Sequence, residues 1–138
     1  MSVESAQFQT LMNQGHTAVW DQDWELAAEK YRLALDEYPD HPTALASLGL
    51  AHFQLKKYDD AMRSYKRCSA LSPEDPLPYE KMARINERMG RINEAVRAFL
   101  QAGEVQIKAR ATDRAISDFS EAVKLNPMDQ TAHTRLAM

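Results

Sequence analysis

With 138 residues, 44% of them apolar and 27% charged, the chain is long enough for one compact domain or one short repeat array and can bury a core. Its 17 Lys and Arg against 20 Asp and Glu leave a formal net charge of -3, which excludes the clustered basic excess of a nucleic-acid footprint. No apolar run approaches the length of about 18 residues that a membrane span needs. The single cysteine, Cys68, permits no internal disulfide. The first seven residues carry neither a basic stretch nor an apolar run of signal-peptide type, so a cytoplasmic location is the default expectation.

In chain order, residues 1–7 read as an extension of a first helix, and residues 8–41 as a helical pair. Leu11, Gly15 and Ala18 form one stripe, the turn Asp21-Gln22-Asp23 follows, and Ala27, Tyr31 and Ala34 form a second stripe closed by Pro39. Residues 42–75 repeat the plan with Leu45, Leu48, Gly49 and His52, then the turn from Lys56 to Asp60, then Ala61, Tyr65, Cys68 and Pro73. Residues 76–110 repeat it again with Tyr79, Met82, Ala83 and Asn86, then Ile92, Ala95, Phe99 and Ala102. The columns Ala27/Ala61/Ala95, Tyr31/Tyr65/Phe99 and Gly15/Gly49/Ala83 share a 34-residue period, the mark of a solenoid of stacked small units. Prolines punctuate the joints, where they stop one helix and are tolerated in the first turn of the next. Gly15 and Gly49 lie inside helices, where Gly costs roughly 1 kcal/mol against Ala. The recurrence predicts a close approach of the paired helices, glycine opposite the small Ala27 and Ala61.

After the third unit the period breaks. Ala115, Phe119 and Ala122 repeat Ala95, Phe99 and Ala102 at an offset of only 20 residues, and Pro127 closes this set where no proline closes the third unit. Ala95, Phe99 and Ala102 line one stripe, and Val96, Leu100, Gly103 and Ile107 a second. A helix apolar on two sides packs on two sides. Residues 93–110 therefore read as one long helix shared by two hairpins; the alternative is a break at Gly103 and an irregular joint. Residues 111–127 then form the second helix of a degenerate fourth unit. Residues 128–138 are either a capping helix or a further repeat cut short.

These residues resemble the tetratricopeptide repeat (TPR) family, in which a Leu-Gly-like pair on the first helix is followed by Ala, an aromatic and Ala on the second, and then Pro. The resemblance covers residues 8–41, 42–75 and 76 to about 109. It implies an all-α, right-handed solenoid of antiparallel helix pairs with a degenerate last unit. It also implies a non-enzymatic protein-interaction scaffold whose first helices line a concave groove for a partner peptide or helix. The groove positions are Met12, His16, Val19 and Trp20 in the first repeat, Ala46, Leu50 and Phe53 in the second, and Glu80, Arg84, Glu87 and Arg88 in the third. Met12, Trp20, Leu50 and Phe53 give an apolar floor fitting a partly apolar partner segment, while Arg84 and Arg88 are available to acidic residues.

No phosphate loop, paired-cysteine metal spacing or nucleophile elbow is present, so no enzyme activity, cofactor or metal is expected. Cys68 stands in an alanine column and reads as a small buried thiol. His16 and His52 fall in adjacent first helices, but two histidines alone make a poor metal site. Cochaperone TPR domains grip a C-terminal carboxylate with Lys, Asn, Asn, Lys and Arg. The matching positions here hold Met12, His16, Ser47, Leu77 and Lys81, and only Lys81 keeps a basic donor, so that clamp is excluded. Two other functions remain open at this point: a homo-oligomerisation module, and the accessory TPR region of a longer enzyme or signalling protein.

Overall fold

The computed structural model describes residues 4–137, which form eight helices and no strand. They divide into two compact units that meet in sequence between Leu71 and Ser72. Of the expected N-terminal extension, residues 1–3 lie outside the described residues; Ser5 caps the first helix, its Oγ accepting from the Phe8 N–H at 3.0 Å.

The first unit contains α1 (Ala6–Trp20), α2 (Trp24–Glu37), α3 (Pro42–Gln54) and α4 (Tyr58–Leu71). Asp23 caps α2 by accepting from the Leu26 N–H at 3.2 Å. His41 Nδ1 accepts from the Ala44 N–H at the start of α3, where Pro42 supplies the first-turn proline. Asp59 and Asp60 place carboxylates in the first turn of α4, as the helix dipole favours. The core gathers Phe8, Met12 and Ala18 from α1, Ala27, Tyr31 and Ala34 from α2, and Ala44, Leu48 and Ala51 from α3.

The second unit contains α5 (Pro76–Arg88), α6 (Ile92–Lys108), α7 (Thr112–Leu125) and α8 (Gln130–Ala137). Its core joins Ala83 to Val96, Ala98, Phe99, Ala122 and Ala132. The helix α6 runs unbroken through Gly103 and packs against both α5 and α7, while α8 packs on α7.

The turns explain why α6 serves two partners. A hairpin turn follows α1, α3 and α5, and each has a left-handed residue: Gln22 (φ 58°), Lys56 (φ 62°) and Gly90 (φ 76°). In each, the next N–H reaches back five residues at 2.8 Å: Asp23 to the Ala18 carbonyl, Lys57 to His52, Arg91 to Asn86. The same turn follows α6, with Arg110 at φ 61° and the Ala111 N–H on the Gln106 carbonyl at 2.8 Å. The joints after α2, α4 and α7 differ, closing with His41 N–H on Tyr38, Asp75 on Ser72 and Asp129 on Asn126. Helix α6 is thus entered and left through hairpin turns, with no joint on either side.

The close approach inside the α1–α2, α3–α4 and α6–α7 hairpins differs from the expectation of small facing small. A Cβ at Gly15 would fall 2.5 Å from the Tyr31 ring, and one at Gly49 2.8 Å from the Tyr65 ring. At Gly103 it would fall closer still to the Phe119 ring. The glycine makes room for the aromatic side chain of the second helix rather than facing an alanine. A second shift concerns α1. Its buried stripe is Phe8, Met12, Gly15 and Ala18, whereas Leu11 is only half-buried and Gln14 exposed.

Candidate functional site

On the first unit, Trp20 is 88% exposed at the end of α1, and Val19 beside it is half-buried against the core. Met12 does not serve as an exposed apolar anchor: it is 6% exposed and belongs to the core, because the α1 stripe runs through Phe8 and Met12. It still forms part of the floor of a shallow depression of about 360 Å³ that Phe8, His16, His41 and Thr43 also line. His16 is exposed, but its Nδ1 lies 2.7 Å from the Tyr31 hydroxyl, which ties the ring to α2. On α3, Ala46, Leu50 and Phe53 are half-buried, and the Phe53 ring meets Tyr58 at 5.8 Å between centroids.

Of the two histidines in adjacent first helices, His16 is engaged by Tyr31. His52 is held below its ordinary pKa chiefly by burial, with Asp60 opposing, and its Nδ1 finds no hydrogen-bond partner. Burial pushes the Tyr65 hydroxyl well up. It also raises the Tyr31 hydroxyl, against which a hydrogen bond with Ser47 acts. Cys68 is buried, its thiol 3.7 Å from the Pro42 carbonyl.

On the second unit, α5 brings Glu80, Arg84 and Glu87 together; Arg88, at its end, is exposed. Arg84 is not available as a free cation. Its Nη1 donates to Glu87 at 3.1 Å and to Glu121 of α7 at 3.3 Å, and its guanidinium sits 5.0 Å from the centre of the Phe99 ring. Glu121 also pairs with Lys124 at 3.7 Å. The sequence reading missed the α7 side of this cluster, Asp118 and Glu121. Asp118 is only 4% exposed. Burial pushes its carboxyl up to about 8, reinforced by the hydrogen bond and charge of Glu80 and opposed by Arg84. A signal existed: the column before the aromatic holds Lys30, Ser64, Ala98 and Asp118, and Ser64 and Ala98 are buried.

Paired helices joined by recurrent left-handed turns, with aromatic-on-glycine packing, define a helical-repeat protein. Residues 12–76 match the tetratricopeptide repeat family, and the protein is a tetratricopeptide repeat protein. It is 27% identical over 119 residues to the Small glutamine-rich tetratricopeptide repeat-containing protein 2 of Saccharomyces cerevisiae, covering 86% of this chain and 34% of that one. The chain thus spans about a third of that relative's length. Among solved structures, a chain of the CopN-Scc3 complex matches at TM-score 0.74 and 18% identity, over 82% of this chain and 69% of that one. The first TPR domain of Spaghetti (RPAP3), bound to an HSP90 peptide, matches at TM-score 0.62 and 18% identity, over 98% and 91%. At these identities the structures share the fold.

Proposed function

We propose that the protein is a non-enzymatic scaffold that binds segments of a partner protein on the faces of its first helices. The observation that carries this reading is the apolar surface left at the end of α1 and along α3: Trp20 at 88% exposure, with Val19 beside it, and the half-buried Leu50 and Phe53. Apolar anchors of this kind contribute roughly 1.5–3 kcal/mol each when fully covered, enough in threes and fours for a micromolar contact after ordering costs. The sequence divides on this reading into repeats 8–41, 42–75 and 76–110, a fourth second-helix segment 111–127 that shares α6, and an end segment 128–138. Peptide binding by the RPAP3 domain and the complex formed by the CopN-Scc3 relative support the class of activity. The carboxylate grip is not carried over, since Met12 is buried and His16 is tied to Tyr31.

A displayed library of random 16-residue peptides, selected on the 138-residue protein, tests the reading. Enriched peptides should lose affinity at least about tenfold on Trp20→Ala or Leu50→Ala, the effect of uncovering one buried anchor. A selection that enriches nothing, or binders indifferent to both changes, would refute it.

A further inference from the structure

We propose that the pocket between α5 and α7 receives a basic side chain, lysine or arginine, of the bound partner segment, with Asp118 and Glu80 as its counter-charges. This rests on the scaffold reading and gives it a chemistry on the second unit.

The pocket has a volume of about 280 Å³, and its lining includes Leu77, Glu80, Arg84, Phe99, Asp118 and Glu121. It exists because α5 and α7 both pack against α6, so that Phe99 of α6 forms its floor. Asp118 is 4% exposed, and its Oδ2 is buried with no hydrogen-bond donor. The neighbour within hydrogen-bonding reach is Glu80, a second carboxyl group. Two cations of α5 also line the pocket, Lys81 and Arg84, and Arg84 is committed to Glu87 and Glu121. A buried carboxylate in this position is costly unless a cation or a proton compensates it.

A metal ion does not suit the arrangement. Among the described residues no three His, Cys, Asp or Glu side chains converge closely enough to hold one. A side-chain cation does suit it. An ammonium brings three donors and a guanidinium five, enough for several carboxylate oxygens at once. Leu77, 43% exposed, offers an apolar rest for the aliphatic stem.

The charge balance adds a linked proton. Burial and the neighbouring Glu80 push the Asp118 carboxyl up to about 8, so the group holds a proton at neutral pH. The charged groups facing it are Glu80, Lys81 and Arg84 from α5 and Glu121 from α7, while α6 presents the uncharged Phe99. No histidine lines the pocket. An entering cation displaces the Asp118 proton, so affinity rises with pH by up to about tenfold per unit and levels off once Asp118 is ionised in the free protein.

The test is an NMR titration of the full chain with N-acetyl-lysine amide and N-acetyl-arginine amide, against N-acetyl-norleucine amide as the uncharged control. The basic probes should shift the amide signals of Phe99, Asp118 and Glu121 saturably, more tightly at pH 8 than at pH 6. The norleucine probe should not. Asp118→Asn should abolish both the shift and the pH dependence; should that variant not fold, Glu80→Gln serves in its place. Equal shifts from the norleucine probe, or undiminished binding by a folded variant, would overturn the proposal. The peptide library separates the two readings. Enriched peptides lacking Lys and Arg, and bound equally by Asp118→Asn, would overturn the pocket and leave the scaffold standing. No enrichment at all would remove the scaffold reading itself.

Discussion

Gln22, Lys56 and Arg110 hold left-handed backbone at turns where Gly90 does so without strain. A side chain in that region costs roughly 1–2 kcal/mol. Arg110→Gly should therefore raise stability by about 1 kcal/mol, read as a higher urea midpoint at unchanged slope. Gly90→Ala should lower it by a similar amount, although nothing within 4 Å would meet the new methyl. Asp118 gives a prediction of opposite character. Its folded pKa, about 8, lies above its ordinary value of 3.8, so its contribution to stability is fully present below pH 3.8 and is lost as pH rises toward 8. Asp118→Asn, which has no such titration, should match the wild type best in acid and exceed it increasingly up to about pH 8, by about 1 kcal/mol or more. Thermal melts of both proteins between pH 4 and 8.5 check the sign. The turn glycine was legible in the sequence. Asp118 was signalled only by its column, where Ser64 and Ala98 are buried; taken alone, an aspartate beside Ser117 on a polar-looking helix reads as solvated until α5 is placed beside α7.

At the scale of the element, hairpin packing sets the stability order. Ala61 is fully buried in α4, and added methylenes there should cost typically 1–3 kcal/mol, more than removing the half-buried Leu50 side chain from α3. Matched denaturation of Ala61→Leu and Leu50→Ala measures the difference; the reverse order would misplace the inner face of α3. Gly103→Ala should destabilise by about 1–3 kcal/mol despite a helix-propensity gain of about 1 kcal/mol, because its Cβ meets the Phe119 ring more closely than the equivalent atoms at Gly15 and Gly49 meet theirs. Every second helix was readable from its alanine and aromatic columns, which tertiary packing leaves little freedom to vary. The first helices were read less well. Leu11 and Met12 are adjacent, both are apolar, and neither periodicity nor composition tells which of them turns inward; Phe8, one turn before Met12, decides it.

For the molecule as a whole, the sequence displays its repeats more plainly than its division into units. The 34-residue period runs through residue 71 without a mark, yet each side of that point has its own core. Periodicity reports local hairpins, whereas the boundary of a compact unit depends on contacts that the period does not encode. The reuse of α6 has a further consequence for how the second unit unfolds. In a regular array each repeat is a separate cooperative element coupled to its neighbours, and stability is approximately a sum of repeat and interface terms. Here one helix belongs to two such elements, so α6 cannot melt without dissolving both. Amide hydrogen exchange should find α5, α6 and α7 opening together with one free energy, even as α1 and α2 open with another. Cutting the chain within residues 92–108 would then remove two hairpins at once, and a single helix would set the smallest piece into which this unit can be divided.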